Sequence, residues 1–289
     1  MSTRQIIRFG PNGELFGVLH SPASGNSVGA NHRVRPGLAM CAPFGEEAKS
    51  AYRVFFDLAC ALADKGWTVL RFDYFGTGNS MGGFDGFAPG RARDDIGHAL
   101  DLLREEGVGK AGLLGLGLGA ALAFEAAPVQ QAEFLILWQP TVNGEEFYKL
   151  NVKQAIFRQK LIRSKSSPSP DLERGQGVRN SPSDPAQGAR RDGDIIDLDG
   201  YPLRKQTAEE IRAINLIKTI TPAIPPTFIV QISFSQNLAR DIKALADACQ
   251  PKPHTQCVVC EPFWKRIGLV DAAPVTAATL NWLEDVVKS

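Results

Sequence analysis

The chain has 289 residues, of which 44% are hydrophobic and 22% charged, and its formal net charge is +1. These values describe a globular chain and exclude a global field that would draw nucleic acid or an anionic membrane surface. Met1 to Arg8 lacks the apolar core of a secretory leader, and no run approaches the roughly 18 apolar residues of a membrane span; a cytoplasmic location is expected. The five cysteines (Cys41, Cys60, Cys249, Cys257, Cys260) are scattered in mostly apolar runs, as reduced buried thiols are. Cys257-x-x-Cys260 has ligand-like spacing, but no second pair or histidine cluster accompanies it, so neither a metal nor a cofactor is expected.

Gln5 to Phe9 and Glu14 to His20 read as a hairpin turning at Pro11-Asn12-Gly13. Pro22 to Pro36 is a polar loop, and Leu38 to Ala42 a short apolar strand. Tyr52 to Lys65 carries Phe55, Phe56, Leu58, Ala59 and Leu62 at helical spacing, and Gly66 closes the helix. A strand over Trp67 to Phe72 and a helix over Gly90 to Glu106 follow, then a strand over Lys110 to Leu114 and a small-residue helix over Leu118 to Ala127. Apolar strands are expected at Glu133 to Trp138, Thr227 to Ile232 and Thr255 to Val259, with helices over Asn237 to Cys249 and Ala272 to Lys288. Near-continuous apolar strands alternating with helices predict a mostly parallel, doubly wound α/β sheet of about eight strands.

One stretch breaks this rhythm. Residues 164 to 194 are rich in Ser, Pro, Gly, Asp and Arg and nearly devoid of large apolar side chains, which predicts a disordered loop. The loop lies within an insertion over 143–221, flanked by a helical run (Phe147 to Ile162), a strand-like piece (Ile195 to Leu198), a turn at Asp199-Gly200 and a helix (Thr207 to Ile217). Residues 1–142 and 222–289 then form the two parts of the core. The insertion reads either as a lid or as a linker without a role.

The most informative turn is Leu114-Gly115-Leu116-Gly117-Leu118-Gly119-Ala120-Ala121. A strand–turn–helix of this kind carries a nucleophilic serine in the motif G-x-S-x-G. Here the central residue is Gly117, which has no side chain with which to attack. The same residues fit the short dinucleotide fingerprint G-x-G-x-x-A, but the next strand ends Leu137-Trp138-Gln139-Pro140 and offers no acid for a ribose. Two other turns stand out. Arg71 to Ser80 has the pattern R-x-D-x-x-G-x-G-x-S, in which Asp73 and Ser80 can bond backbone groups. Ala42-Pro43-Phe44-Gly45-Glu46-Glu47 follows the third strand.

Together with Leu137-Trp138-Gln139-Pro140, Gly144 and Glu261-Pro262-Phe263-Trp264, these segments resemble the α/β-hydrolase superfamily. More closely, the chain is similar to the type-2 hydrolase-like proteins associated with exosortase A systems, bacterial proteins encoded beside protein-sorting and exopolysaccharide genes. The resemblance implies an α/β-hydrolase fold with a lid after the sixth strand. It also implies oxyanion-hole amides at Phe44 and Leu118. That subfamily also tends to lack serine at the elbow, and it says little about substrate.

In this fold the acid follows the seventh strand and the histidine the eighth. The chain reads Ser233-Phe234-Ser235-Gln236-Asn237 at the first place, with Asp241 further along, and Cys260-Glu261-Pro262-Phe263-Trp264 at the second. His20, His32, His98 and His254 fall on a hairpin, a loop, a helix and a strand entrance. No residue is therefore assigned as catalytic, and whether activity remains is left open. Thiol catalysis by Cys41 or Cys260 lacks a histidine partner. The leading reading is a non-catalytic protein whose pocket binds an acyl- or carbohydrate-related small molecule or a protein partner. Its lining candidates are Glu46, Glu47, Asp73, Trp138, Gln139, Cys260, Glu261, Phe263 and Trp264, with the aromatic residues equally readable as core. The alternative is an ester or thioester hydrolase or acyltransferase in which Asp73, Glu46, Glu47 or Glu261 activates water. A third is an interaction module that uses the 164–194 segment. Ligand, partner and oligomeric state are not legible.

Overall fold

The computed structural model describes residues 2–23, 34–165, 194–198, 200–266, 268 and 270–288. Most of the loop expected over 164–194, together with His32, lies outside the described residues. Strands β1 (Thr3–Phe9) and β2 (Leu15–Ser21) form the expected antiparallel hairpin. The chain then alternates β3 (Pro36–Cys41), α1 (Glu46–Asp64), β4 (Thr68–Asp73), α2 (Pro89–Glu105), β5 (Lys110–Leu116), α3 (Leu118–Val129) and β6 (Leu135–Trp138). The core resumes with β9 (Thr227–Ser233), α6 (Arg240–Ala248), β10 (His254–Val259) and α7 (Ala273–Lys288). The eight strands order as β1-β2-β4-β3-β5-β6-β9-β10, antiparallel from β1 to β4 and parallel from there on.

Why the inner strands read as unbroken apolar runs is visible in their two-residue alternation. Ala39 and Cys41, Leu113, Leu135 and Leu137, and Ile229 face the layer of α2, α3 and α6. Leu38 and Met40, Leu114 and Leu116, Ile136 and Trp138, and Phe228 and Val230 face α1 and α7. Both faces are covered, so the polar side chains buried on the strands are few: His20, Thr68, Arg71, Thr227 and Gln231.

Strand order also locates a crevice. From β3 the chain moves outward to β4, and from β5 it moves the other way to β6. The two crossovers diverge, which opens a gap at the carboxyl ends of β3 and β5, where open α/β sheets bind ligands. The β3–α1 turn and the β5–α3 turn flank this gap.

The insertion between β6 and β9 contains α4 (Gly144–Lys165), a two-stranded hairpin of β7 (Ile195–Leu198) and β8 (Tyr201–Arg204), and α5 (Lys205–Ala213). Its two ends meet at one neck. Asn143 bridges Asn215, the Gly144 N–H donates to the Ile214 carbonyl, and the Leu216 N–H donates to the Val142 carbonyl. A side chain at Gly144 would collide with the Ile211 carbonyl oxygen, so only glycine allows so close an approach. Among the described residues, no helix is long and apolar enough to cross a membrane.

The Arg71–Ser80 turn acts as a structural clasp. Asp73 accepts from the Asn79 N–H at 2.9 Å, and the Ser80 hydroxyl donates to the Asp73 carbonyl at 2.6 Å while accepting from the Phe16 N–H of β2. Gly78, at φ +52°, leaves room for the Asp73 carboxylate, which a Cβ there would strike. Further down the same hairpin, His20 is buried and its Nε2 accepts from Arg71 Nε at 3.1 Å. Burial first, and then the charges of Arg71 and Arg4, hold the His20 pKa down at about 4. Between that value and about 6.5 the unfolded chain binds a proton that the folded chain does not, so stability should fall as pH drops through this window. The expected loss is on the order of 2 kcal/mol, and it should vanish in denaturant titrations of His20→Gln run across the same pH range.

Candidate functional site

Two glycine turns build the site. Gly117, at φ 58° and ψ −120°, caps α3, and Gly45, at φ 60° and ψ −129°, caps α1. Both positions lie in left-handed space that a side chain occupies only under strain. The Gly117 turn is fixed on both sides: its N–H donates to the Trp138 carbonyl, and its own carbonyl accepts from the N–H groups of Thr141 and Ala121. First-turn amides of a helix have no intrahelical acceptor, which offers those of α3 to a ligand, whereas in α1 the Glu47 and Ala48 N–H groups already donate to the carbonyls of Phe44 and Gly45.

A cavity of about 400 Å³ opens over Gly117. Its border includes Glu47, Gln139, Ser233, Asp241, Trp264 and Lys265, together with Asn151 and Gln154 of α4. Glu47 is the central finding. A Cβ built on Gly117 would lie 3.3 Å from Glu47 Oε2, so this carboxyl oxygen borders the space in which a nucleophile's side chain would stand. Removal from water pushes the Glu47 carboxyl up to about 7, opposed by the charge of Lys265.

Of the other expected lining residues, Gln139 and Trp264 reach this crevice. Gln139 has φ 42°, and its side-chain oxygen accepts from the Ile232 N–H, tying the end of β6 to β9. Glu46 borders a neighbouring cavity of about 330 Å³ that also contains Glu47, Trp264 and Lys265. There Glu46 accepts from Lys49 Nζ and from the Tyr201 hydroxyl, and both bonds hold its carboxylate below the usual range. Asp73 borders a third, mainly apolar cavity of about 430 Å³, with Phe44, Tyr74, Phe84, Phe87, Leu118 and Leu122 around it.

Besides Glu46 and Asp73, four expected lining residues do not border the crevice over Gly117. Trp138 is the last residue of β6, but strand alternation turns it onto the α1–α7 face, where its indole N–H donates to Thr279 Oγ1 at 3.0 Å. Phe263 packs edge-on against Trp138 in the same core. Cys260 is buried, and its Sγ donates to the carbonyls of Glu261 and Asp271. Glu261 is ion-paired with Arg266 outside the crevice. Burial pushes the Cys41 thiol up to about 12 and raises that of Cys260, so neither is a thiolate near neutral pH.

The sequence reading missed Lys265, Asn151, Gln154, Arg158 and Tyr201. Asn151, Gln154 and Arg158 recur at helical spacing and face the cavity beside Glu47, a polar stripe that was available in the sequence. Tyr201 comes from β8, a four-residue strand too short for a periodic signal.

An eight-stranded, mostly parallel sheet with a glycine elbow after β5 and an insertion after β6 is the α/β-hydrolase fold. Solved structures agree. Est1E from Butyrivibrio proteoclasticus, with ferulic acid bound, aligns over 95% of this chain and 96% of its own, at 15% identity and a TM-score of 0.62. An α/β serine hydrolase of Xanthomonas campestris, described as lacking a lid, aligns over 99% and 94%, at 16% identity and a TM-score of 0.54. Mouse alpha/beta hydrolase domain-containing protein 10 aligns over 99% and 98%, at 16% identity and a TM-score of 0.53. At these identities the likeness is one of fold. No protein-family model matches the chain, and no curated protein does.

Proposed function

We propose that this chain binds an acyl- or carbohydrate-related ligand in the crevice over Gly117 and forms no serine-type acyl-enzyme. One observation carries the reading: at the elbow a bare glycine faces the Glu47 carboxyl, 3.3 Å from where a side chain would begin. A hydrolase of this fold needs a hydroxyl at that point and an imidazole within reach of it. Among the described residues, no histidine borders the crevice. The amides of Phe44 and Leu118 receive the ligand's carbonyl or carboxylate oxygen, and the insertion over 143–221 serves as its lid. The resemblance to exosortase-associated proteins supports a ligand from exopolysaccharide or envelope chemistry.

Fluorophosphonate probes react with activated serines, so the wild-type protein is expected to remain unlabelled. Gly117→Ser should not become an efficient esterase, because its hydroxyl would stand against Glu47 with no third group to orient the pair. Its kcat/KM on p-nitrophenyl butyrate should not exceed the wild-type value by as much as tenfold. Stoichiometric labelling of the wild type, or robust turnover by the single mutant, would overturn this reading.

A further inference from the structure

We propose that Glu47 activates a water molecule held in the space that Gly117 leaves open, so that the crevice hydrolyses a carboxylic ester or thioester in a single displacement without a covalent intermediate. This rests on the reading above that no acyl-enzyme forms. The structure separates Glu47 from the other candidate carboxylates. Glu46 is engaged by Lys49 and Tyr201, Glu261 by Arg266, and Asp73 by the Asn79 N–H of its own turn. Glu47 stands apart because its Oε2 borders the vacant side-chain position at the elbow. A serine there would fill that space with a methylene and a hydroxyl. Glycine leaves it open for a water within hydrogen-bond reach of the carboxylate and beside the first-turn amides of α3.

The step balances. A water proton passes to Glu47 Oε2 while the water oxygen bonds to the carbonyl carbon. The carbonyl electron pair moves onto its oxygen, which the amides of Phe44 and Leu118 receive. Collapse breaks the bond to the leaving oxygen or sulfur, which departs as the anion or takes the proton back from Glu47. The products are a carboxylic acid and an alcohol or thiol, and nothing is oxidised or reduced. The apolar cavity beside Phe44 and Leu118 suits the acyl portion of such a substrate.

A base serves best when it titrates near the working pH, and burial brings Glu47 to about 7. The charged groups around it are Lys265 from the turn after β10, Glu46 from its own helix, Arg158 and Glu146 from α4, and Asp241 from α6. Of these, Lys265 favours the charged form of Glu47, against the burial that opposes it.

The test uses the full chain with p-nitrophenyl butyrate and phenyl thiobutyrate between pH 5 and 9. Glu47→Gln should lower kcat at least 100-fold and remove a rising limb centred near pH 7, the loss typical of a missing general base. Gly117→Ala, which fills the water's place, should lower kcat at least tenfold. Mass spectra of protein quenched during turnover should show no acyl adduct. An acyl adduct would defeat the reading under which this inference was made. Unacylated protein whose rate neither variant lowers, or no hydrolysis above the buffer rate, would defeat the inference alone.

Discussion

Replacing Gly119 by alanine is expected to destabilise the protein by about 4 kcal/mol or more. Gly119 is the second residue of α3, and its Cα faces the end of β3. A Cβ there would lie 2.3 Å from the Ala42 carbonyl oxygen and 2.4 Å from that of Cys41. Both atoms are backbone, so no rotamer relieves the clash. Alanine is the better helix former by about 1 kcal/mol, which is too little to offset it. The variant must either unfold or shift α3 away from β3. The second outcome separates the amides of Phe44 and Leu118, so the binding proposed for the crevice should fail together with stability. Denaturant unfolding of Gly119→Ala reads the first effect. A variant as stable as wild type would show that α3 and β3 do not approach as closely as described.

Glu47→Gln is expected to stabilise the fold by up to about 3 kcal/mol above pH 7 and to change little below about pH 4.5. The sign follows from the direction of the shift. The Glu47 pKa is raised from 4.5 to about 7 in the folded chain. Between these values the folded state holds a proton that the unfolded state has released, so wild-type stability falls as pH rises through the window. Above pH 7 the buried anion carries its full penalty, and the neutral amide removes it. Such a cost at working pH accords with the role proposed for Glu47 above. Parallel unfolding curves for the two proteins from pH 4 to 9 would contradict the assignment of Glu47 to a water-poor site.

Much of the architecture was legible because it is written in periodicity. Ala39, Leu113, Leu135 and Ile229 alternate with Leu38, Leu114, Ile136 and Phe228, and this two-sided burial made the parallel sheet readable. The elbow was legible for the opposite reason, since a run of glycines between a strand and a helix has few other uses. Helix α1 was placed too late because its first turn, Glu46-Glu47-Ala48-Lys49-Ser50, carries no apolar stripe. That same polar turn holds Glu47, whose meaning depends on a neighbour 70 positions away in sequence. Nothing local to either residue announces that pairing. Trp138 was misplaced because a strand's last residue reads as a rim residue in sequence, whereas the pleat decides which layer it enters.

The neck of the insertion has a consequence for how such a chain can change. The described part of the insertion leaves and rejoins the core at the Asn143–Asn215 bridge and its neighbouring backbone bonds, and β6 and β9 pair with each other across it. The register of the sheet is therefore set without reference to what the bridge carries. What the bridge carries is nonetheless fastened to the platform a second time, because Thr207 Oγ1 donates to the Phe87 carbonyl, Glu210 accepts from the Gly90 N–H, and Leu203, Ala208 and Ile211 are buried in the same core as α2, so any replacement segment must rebuild those contacts.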